Sequence, residues 1–485
     1  MEAQIAAPGS DAVEVRLSAI LQRQRKAQLL SGPPAAEERI GRIERLLSLI
    51  RGNANVLADA VAEDYGYRSR EETLIADVAA SVESLEHARR HLRGWMKDKK
   101  RMVRFPLGIL GAKARIRFQP KGVIGVISPW NFPVNLAISP LAGVLAAGNR
   151  AMVKPSEFTP ATSELLARLF RESFDEAELT VVTGDIEVGA AFSRLPFDHL
   201  VFTGATCVAR KVMKAAADSL VPLTLELGGK SPAIVSRSAD QNDAAVKIMA
   251  GKLFNAGQVC LAPDYALIPV EQLESFAAKC KQAVARLYPR LRDNPDYSAI
   301  IHDGHVNRLQ GYVADALSLG ARLMDVTPAG EDLGDPSSRK FPPALILGST
   351  GAMKIMQEEI FGPLLPLRPY QNIADAIAEV NGRPRPLALY YFGRDPVEEE
   401  RVLSSTFSGG VTVNDTLLHA TVEDLPFGGV GPSGMGRYHG VHGFREFSHA
   451  KAIYRQSRSK TVIEFFRPPY GERTRKRIAA LAGLR

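Results

Sequence analysis

The feature that most constrains the fold is an alternation of short apolar strands with helices between residues 122 and 217. Gly122-Val-Ile-Gly-Val-Ile127 is a nearly continuous apolar run, which is typical of a strand buried in a parallel sheet. Repeated strand–helix units of this kind form an open parallel sheet covered by helices, so the predicted class is α/β. The units that follow the first strand are 150–153 with 163–174, 179–182 with 186–195, and 199–202 with 208–217.

The flanking segments extend this pattern. From Val13 to Met96 apolar residues recur three and four positions apart, which predicts helices. Lys113–Gln119 alternates polar and apolar residues and predicts an exposed strand, which would pair in a hairpin with residues from about Met102. Two further strands, 223–227 and 233–235, begin a second α/β region.

Composition excludes several classes of protein. The chain has 485 residues, 45% of them hydrophobic and 24% charged, so two or three packed domains are expected and global disorder is not. Three cysteines are too few for a disulfide framework, which predicts a cytoplasmic protein. Residues 1–9 do not resemble a secretory signal, and no apolar run is long enough to span a membrane. The net charge of +8 is scattered, which argues against a nucleic-acid partner.

Cys260 and Glu226 are the candidate chemical groups. Cys260 follows Phe-Asn-Ala-Gly-Gln-Val, and Glu226 begins Glu-Leu-Gly-Gly-Lys. A thiolate can attack a carbonyl carbon, and a carboxylate can activate the water that later releases the acyl group. The alternative for a lone cysteine is a small buried hydrophobe, and for Glu226 a solvated carboxylate at a strand end. Cys280 lies on a helical pattern and is expected to be buried and inert, whereas Cys207 is expected to be structural or incidental.

A glycine-rich segment, residues 426–436, is expected to approach another part of the chain closely or to turn sharply. His439 and His442 lie just beyond it. No neighbouring Asp, Glu, His or Cys has the spacing of metal ligands, so we expect loop or surface histidines and no metal site.

Six segments at fitting spacings resemble the aldehyde dehydrogenase superfamily, and the match runs in order from about Asp64 to Gly440. The segments at 65–69, 260–265 and 426–434 resemble the class-3 branch most. The six segments are Ser-Pro-Trp-Asn-Phe-Pro at 128–133, Lys-Pro-Ser-Glu at 154–157, Phe-Thr-Gly-Ala-Thr at 202–206, those around Glu226 and Cys260, and Glu-Glu-Ile-Phe-Gly-Pro at 358–363.

The resemblance implies a domain organisation and a homodimer. A Rossmann-like NAD-binding domain would be followed by an α/β catalytic domain, with a small β element that mediates oligomerisation. The implied ranges are 13–101 and 121–227 for the NAD-binding domain, 228–425 for the catalytic domain, 102–120 and 426–460 for the oligomerisation element, and 461–485 for a C-terminal tail.

The resemblance also implies the catalytic roles. Cys260 would attack the aldehyde, and the Asn131 amide with the Cys260 backbone N–H would donate to the oxyanion. Glu226 would then deprotonate the water that hydrolyses the thioester. From the residues alone, Asn131 could instead be a helix cap after a strand.

For the cofactor, the resemblance implies NAD, with NADP as an alternative. The Glu157 carboxylate would accept from a free ribose 2′-hydroxyl and repel a 2′-phosphate. From the residues alone, Lys154 and Glu157 could instead form a charge pair at a helix start, and Phe361 could occupy a plain core position. The implied cofactor-binding residues are Ser128, Trp130, Lys154, Ser156, Glu157, Gly204, Ala205, Leu227, Glu359 and Phe361.

Two positions depart from the family pattern in the turn after Phe202. Ala205 lacks the hydroxyl that the family usually has there, and Ala209 adds a methyl where a glycine is usual. Affinity for the dinucleotide is the property that these changes would alter.

The predicted function is oxidation of an aldehyde to its acid, with NAD or NADP. The substrate would be aromatic, such as coniferyl aldehyde, or medium-chain aliphatic. One alternative is a dehydrogenase that passes the thioester to coenzyme A, although such relatives tend to lack a base like Glu226. The other is a non-catalytic binding or structural protein on the same fold.

The C-terminal tail carries a further pattern. Ile478, Leu481 and Leu484 recur every three residues after a basic run at 473–477, which predicts an amphipathic helix. The alternative is a frayed, solvated terminus.

Overall fold

A computed structural model describes residues 10–105, 107–331, 333, 338–458 and 467–483. The first nine residues, for which no secretory signal is expected, lie outside this range. The undescribed positions also include residue 106 of the predicted hairpin, positions 459–466, and 484–485 at the end of the tail.

The strands of the described chain form three sheets, of six, seven and three strands. In chain order the strands are β1 (Lys99–Arg101), β2 (Lys113–Pro120), β3 (Val123–Ile127), β4 (Arg150–Lys154), β5 (Leu179–Val181), β6 (His199–Thr203), β7 (Leu223–Glu226), β8 (Pro232–Val235), β9 (Tyr265–Pro269), β10 (Arg322–Asp325), β11 (Ala344–Leu347), β12 (Leu364–Tyr370), β13 (Ala388–Phe392), β14 (Gly410–Val413), β15 (Gly434–Met435) and β16 (Ser448–Arg455).

Helices separate most of these strands. In chain order they are α1 (Ser10–Ser31), α2 (Ala36–Gly52), α3 (Ala54–Tyr65), α4 (Arg70–Thr73), α5 (Ala80–Trp95), α6 (Asn135–Ala147), α7 (Pro160–Ser173), α8 (Ile186–Arg194), α9 (Thr206–Ala217), α10 (Gln241–Leu253), α11 (Leu273–Leu287), α12 (Asp303–Ser318), α13 (Lys354–Gln357), α14 (Ile373–Asn381), α15 (Pro396–Ser405), α16 (Gly440–Glu446) and α17 (Glu472–Ala482). A π-helical turn, Leu74–Ala79, joins α4 to α5. Within the described ranges, no helix has the length and apolar character needed to cross a bilayer.

The six-stranded sheet has the order β15-β7-β6-β3-β4-β5. Strands β3 to β7 pair in parallel, and β15 joins β7 antiparallel. Helices α1, α8 and α9 pack on one side, and α2, α5, α6 and α7 on the other. The predicted α/β class and each of the predicted strand–helix units are confirmed. The physical reason is that helices cover both sheet faces, which leaves β4 and β6 buried along their whole lengths.

The seven-stranded sheet has the order β10-β11-β12-β9-β8-β13-β14. It is parallel except for β10, which pairs antiparallel with β11. Helices α10 and α11 pack against each other and against β8 and β9. Cys260 lies in the connection between α10 and β9.

The three-stranded sheet has the order β1-β2-β16, antiparallel throughout. The predicted hairpin is therefore present, but its first strand is Lys99–Arg101 and ends before Met102. These three residues pair with β2 and not with the larger sheets. The third strand is β16, which lies within the range 426–460 implied for the oligomerisation element and in which Ala452 pairs with Ile116.

The tail contains the predicted helix as α17. Ile478 and Leu481 are exposed on it, at 47% and 57% of their surface, so the described part of the chain does not cover these two apolar side chains. Leu484, the third residue of the pattern, lies outside the described residues.

Candidate active site

Four predicted site residues lie at one edge of the six-stranded sheet. Ser128 follows β3, Lys154 ends β4, Gly204 follows β6 and Glu226 ends β7. Parallel strands place their carboxyl ends at the same edge, and ligands of open α/β sheets bind there. The backbone N–H of Gly204 also donates to the carbonyl of Glu226 at 3.1 Å, which fixes the two turns against each other.

Cys260 is presented by a tight turn at the end of α10. Asn255 and Ala256 have φ values of 49° and 51°, in the left-handed region, and Gly257 follows at 77°. Such backbone strain is typical of functional loops. A Cβ on Gly257 would clash with the carbonyl oxygen of Gly362, so the turn packs closely against the 358–363 segment. Cys260 itself is half-buried.

The side chain of Asn131 points toward this turn. Its Nδ2 donates to the carbonyl of Gln258 at 3.1 Å, two residues before Cys260. An amide carries two hydrogens, so the second is available to another acceptor. The alternative role as a helix cap is wrong, because α6 begins at Asn135 and the Asp77 carboxylate binds its first amides.

Glu226 is buried, with 1% of its surface exposed, and neither carboxylate oxygen has a hydrogen-bond partner among the described residues. Burial raises its pKa well above the ordinary value. The alternative of a solvated carboxylate is therefore wrong. Residues 433–434 of the glycine-rich segment close over it, since Gly434 pairs with Glu226 and a Cβ on Gly434 would clash with the carbonyl of Leu225. This confirms the predicted close approach.

Glu359 is a second buried carboxylate at the site. Burial, with the neighbouring charge of Asp264, raises its pKa to about 8. A Cβ on Gly228 would clash with its carboxylate oxygens, so a side chain at position 228 would displace it. Burial raises the pKa of the Cys260 thiol well above its ordinary value, and the carboxylates of Glu226 and Glu359 raise it further. These three groups are therefore electrostatic neighbours.

Two predicted cofactor residues form an ion pair. The Nζ of Lys154 lies 2.9 Å from a carboxylate oxygen of Glu157. Lys154 is buried and Glu157 is exposed, with Ser156 buried between them. A charge pair is thus compatible with the geometry, but the pair precedes α7, which begins at Pro160.

An aromatic cluster is formed by Trp130, Phe361 and His305. The rings of Trp130 and Phe361 meet edge to face at 5.4 Å, and the His305 ring lies 5.2 Å from Trp130. Phe361 is only half-buried and has a φ of 47°, which argues against a plain core position. Leu227 is buried, and its amide donates to the carbonyl of Ser433.

The turn after β6 leads into α9. A Cβ on Gly204 would lie 2.8 Å from the ring of Phe202. Ala205 is the N-cap of α9 and makes no side-chain hydrogen bond, while the Ala209 methyl is buried in the core on that side of the sheet. Cys207 is exposed in the same turn, and Cys280 is buried as predicted.

The residues at this edge fit a polar cofactor. Buried oxygen atoms of Ser128, Thr203, Glu226 and Glu359 lack hydrogen-bond partners among the described residues, and the N-terminus of α9 presents free backbone N–H groups. The described part of the chain holds no cluster of three or more His, Cys, Asp or Glu that could ligate a metal.

The hydrogen-bond donors to the backbone carbonyl of Asn131 are not among the residues predicted from the sequence. Tyr65, Arg68 and Asn255 all donate to its backbone carbonyl. No local pattern predicts these contacts, because they join residues 63 to 124 positions apart. The one available signal was the resemblance of segment 65–69, which contains Tyr65 and Arg68, to the class-3 branch.

Known relatives resemble the chain over nearly its whole length. It is 56% identical to a probable coniferyl aldehyde dehydrogenase of Caulobacter vibrioides, over 97% of both chains. It is 54% identical to a coniferyl aldehyde dehydrogenase of a Pseudomonas species, over 94% of both.

Solved structures show the same architecture. A substrate-bound AldH of Staphylococcus aureus superposes with a TM-score of 0.88 at 35% identity, over 96% of this chain and 98% of that one. A second structure is a cysteine-to-alanine mutant of the indole-3-acetaldehyde dehydrogenase AldA of P. syringae, in complex with NAD+ and IAA. It superposes with a TM-score of 0.83 at 26% identity, over 91% of this chain and 89% of that one. The sequence profile of the aldehyde dehydrogenase family matches residues 5–453, and the chain therefore belongs to that family.

Proposed function

We propose that the protein oxidises an aldehyde to its carboxylic acid, with Cys260 as the nucleophile, Asn131 as the oxyanion donor and Glu226 as the hydrolytic base. The observation that supports this most is their convergence. The Asn131 amide bonds to the turn that presents Cys260, and the Glu226 carboxyl, which has no hydrogen-bond partner among the described residues, is an electrostatic neighbour of the thiol.

The chemistry follows from these groups. The Cys260 thiolate adds to the aldehyde carbon, and the oxygen that becomes negative accepts a hydrogen bond from the Asn131 amide; such a donor typically contributes about 3 kcal/mol. NAD, when bound, supplies the acceptor for the hydride that leaves this carbon. Glu226 then takes a proton from water, which attacks the thioester and frees the acid and Cys260.

We propose that NAD binds along the carboxyl edge of the six-stranded sheet. Lys154 and Glu157 would hold the adenine-side ribose, with Ser156 beside them. The Gly204–Ala205 turn at the start of α9 would bind phosphate. Glu359 would bind the nicotinamide-side ribose. Ser128, Trp130, Leu227 and Phe361 would line the remaining cleft. The negative charge of Glu157 favours NAD over NADP.

The substrate proposed is an aromatic aldehyde of the coniferyl type, because the relatives at 54–56% identity carry that name. Medium-chain aliphatic aldehydes are the second class. We also propose a cytoplasmic homodimer, with the domain ranges that the family resemblance implies. Three free thiols are compatible with a reducing compartment.

Reduced cofactor formed from coniferyl aldehyde, measured by its absorbance, tests the proposal. We expect activity with NAD that does not depend on coenzyme A, higher kcat/KM for coniferyl aldehyde than for hexanal, and lower kcat/KM with NADP. Cys260→Ser is expected to lose nearly all activity, since an un-ionised hydroxyl is a poor nucleophile. Cys207→Ser is the matched control and is expected to retain it.

Two results would contradict the proposal. A requirement for coenzyme A would indicate the acylating alternative. Full activity in Cys260→Ser would remove the proposed nucleophile.

A further inference from the structure

The backbone carbonyl of Asn131 receives an unusual number of donors. The hydroxyl of Tyr65 and the amide of Asn255 each donate to it at 3.2 Å, and a guanidinium N–H of Arg68 donates at 2.5 Å. The side chain of the same residue reaches the carbonyl of Gln258. Three hydrogen bonds therefore fix the backbone carbonyl of Asn131, while its side-chain amide faces the Cys260 turn.

Arg68 is fully enclosed. Its side chain has no exposed surface, and its guanidinium lies 4.9 Å from the ring centres of both Tyr65 and Phe132. A buried guanidinium needs a counter-charge, which Asp77 supplies at 3.2 Å with a side chain that is equally enclosed. A rigid, planar fork can bind two acceptors at once, and here it joins Asp77 to the carbonyl of Asn131.

Asp77 continues the connection to α6. Its other carboxylate oxygen accepts from the backbone N–H groups of Val134 at 2.9 Å and Asn135 at 3.0 Å. The segment 131–135 is thus bound at its start by Arg68 and at its end by Asp77. Asp77 lies in the π-helical turn 74–79, a local geometry that is frequent at functional sites.

We propose that Arg68, paired with Asp77, is a positioning residue that fixes the Asn131 amide for oxyanion stabilisation; this rests on the proposed role of Asn131. A donor contributes to a transition state only when it is held in the productive geometry beforehand. In this role Arg68 takes no part in bond making and acts through Asn131.

A double-mutant cycle tests this. Asn131→Ala is expected to lower kcat/KM about 10²- to 10³-fold. Arg68→Lys keeps the charge but loses the fork, and is expected to lower kcat about tenfold or more, since displaced catalytic groups cost rate steeply. In the Asn131→Ala background, Arg68→Lys is expected to have no further effect, because the group through which it acts is gone.

Arg39→Lys is the matched control. Arg39 is also buried and also donates to a backbone carbonyl, in this case that of Ala146 near the end of α6. The Arg39→Lys substitution is expected to leave kcat unchanged. Alkylation of Cys260 by iodoacetamide in the cofactor-free enzyme is expected to be equal in the Arg68 and Arg39 variants, because that reaction uses no oxyanion donor.

The outcomes separate the two proposals. If Arg68→Lys lowers kcat by the same factor in both backgrounds, or does not lower it at all, the positioning role is wrong while Asn131 keeps its own. If Asn131→Ala alone retains full kcat/KM, the proposed role of Asn131 is wrong and the positioning role fails with it. Should Arg68→Lys fail to fold, the neutral pair Arg68→Met with Asp77→Asn, in both backgrounds, is judged by the same criteria.

Discussion

At the level of single residues, Glu226 has the most unusual environment in the site. It is a carboxyl with no hydrogen-bond donor among the described residues, and burial raises its pKa. A carboxyl of this kind is held in its neutral form until the pH exceeds its raised pKa. It can then remove a proton from water more readily than an exposed carboxylate, because its conjugate acid is weaker.

Glu226→Gln keeps the shape of the side chain and removes the base. The aldehyde step needs only the thiolate and the oxyanion donor, so we expect a burst of reduced cofactor near one equivalent per site. Steady-state turnover is expected to fall about 10²- to 10⁴-fold. Stopped-flow absorbance measures the burst, and intact-mass measurement is expected to show the acyl group on Cys260.

In the unsubstituted enzyme the rate of thioester hydrolysis is expected to rise with pH through a midpoint above the ordinary range for glutamate, because ionised Glu226 is the active form.

Glu226→Gln is also expected to lower the pKa of the Cys260 thiol, since the Glu226 charge raises it. A slower alkylation of Cys260 across the pH range, with no burst, would mean that Glu226 is needed to ionise the thiol.

At the level of elements, the start of α9 has no side-chain cap. Ala205 occupies the N-cap, and its side chain cannot accept from the free N–H groups of the first turn. Those N–H groups and the helix dipole are the proposed phosphate site. The helix has 12 residues, long enough for this effect, so we expect the departure at position 205 to alter the affinity for NAD.

Ala205→Ser tests this. A serine at an N-cap typically stabilises a helix by about 1 kcal/mol relative to alanine. We expect a higher melting temperature for the cofactor-free enzyme and tighter NAD binding, measured by calorimetry. Val208→Ser, at an exposed position one turn further along α9, is the control, and no gain in either property is expected there. Weaker NAD binding in Ala205→Ser would place the phosphate elsewhere.

The strands of the six-stranded sheet could be predicted because their signal is local. A run such as Val123–Ile127 is apolar along its whole length, since both faces of the sheet are covered. The pairing of Arg68, Asp77 and Asn131 could not be predicted, because it depends on how the α3–α4 loop, the π-helical turn and the β3–α6 loop pack in space. The roles of Cys260 and Glu226 came from family resemblance, and sequence spacing alone left both open.

At the level of the whole molecule, the described residues leave the three-stranded sheet incompletely covered. On one face Phe118 packs against Phe444 of α16, with the rings 5.5 Å apart. Along β16 the same face carries Ala450 and Ala452, which are exposed, and Tyr454, which is 52% exposed. One edge of β16 has no strand partner in the described chain. Uncovered strand edges and apolar faces are typical of surfaces that pair with another chain.

We therefore expect a homodimer that uses this face of β16. Light scattering on the purified protein is expected to give twice the 52.7 kDa of one chain. Ala452→Glu places a charge on the apolar face and is expected to produce monomer, since an unpaired charge in an interface is costly. Lys451→Glu changes the adjacent residue, which points to the opposite face of the strand, and is expected to leave the dimer intact. Dimers that persist in Ala452→Glu at micromolar concentration, or monomers in the unsubstituted protein, would show that this face does not hold two chains together.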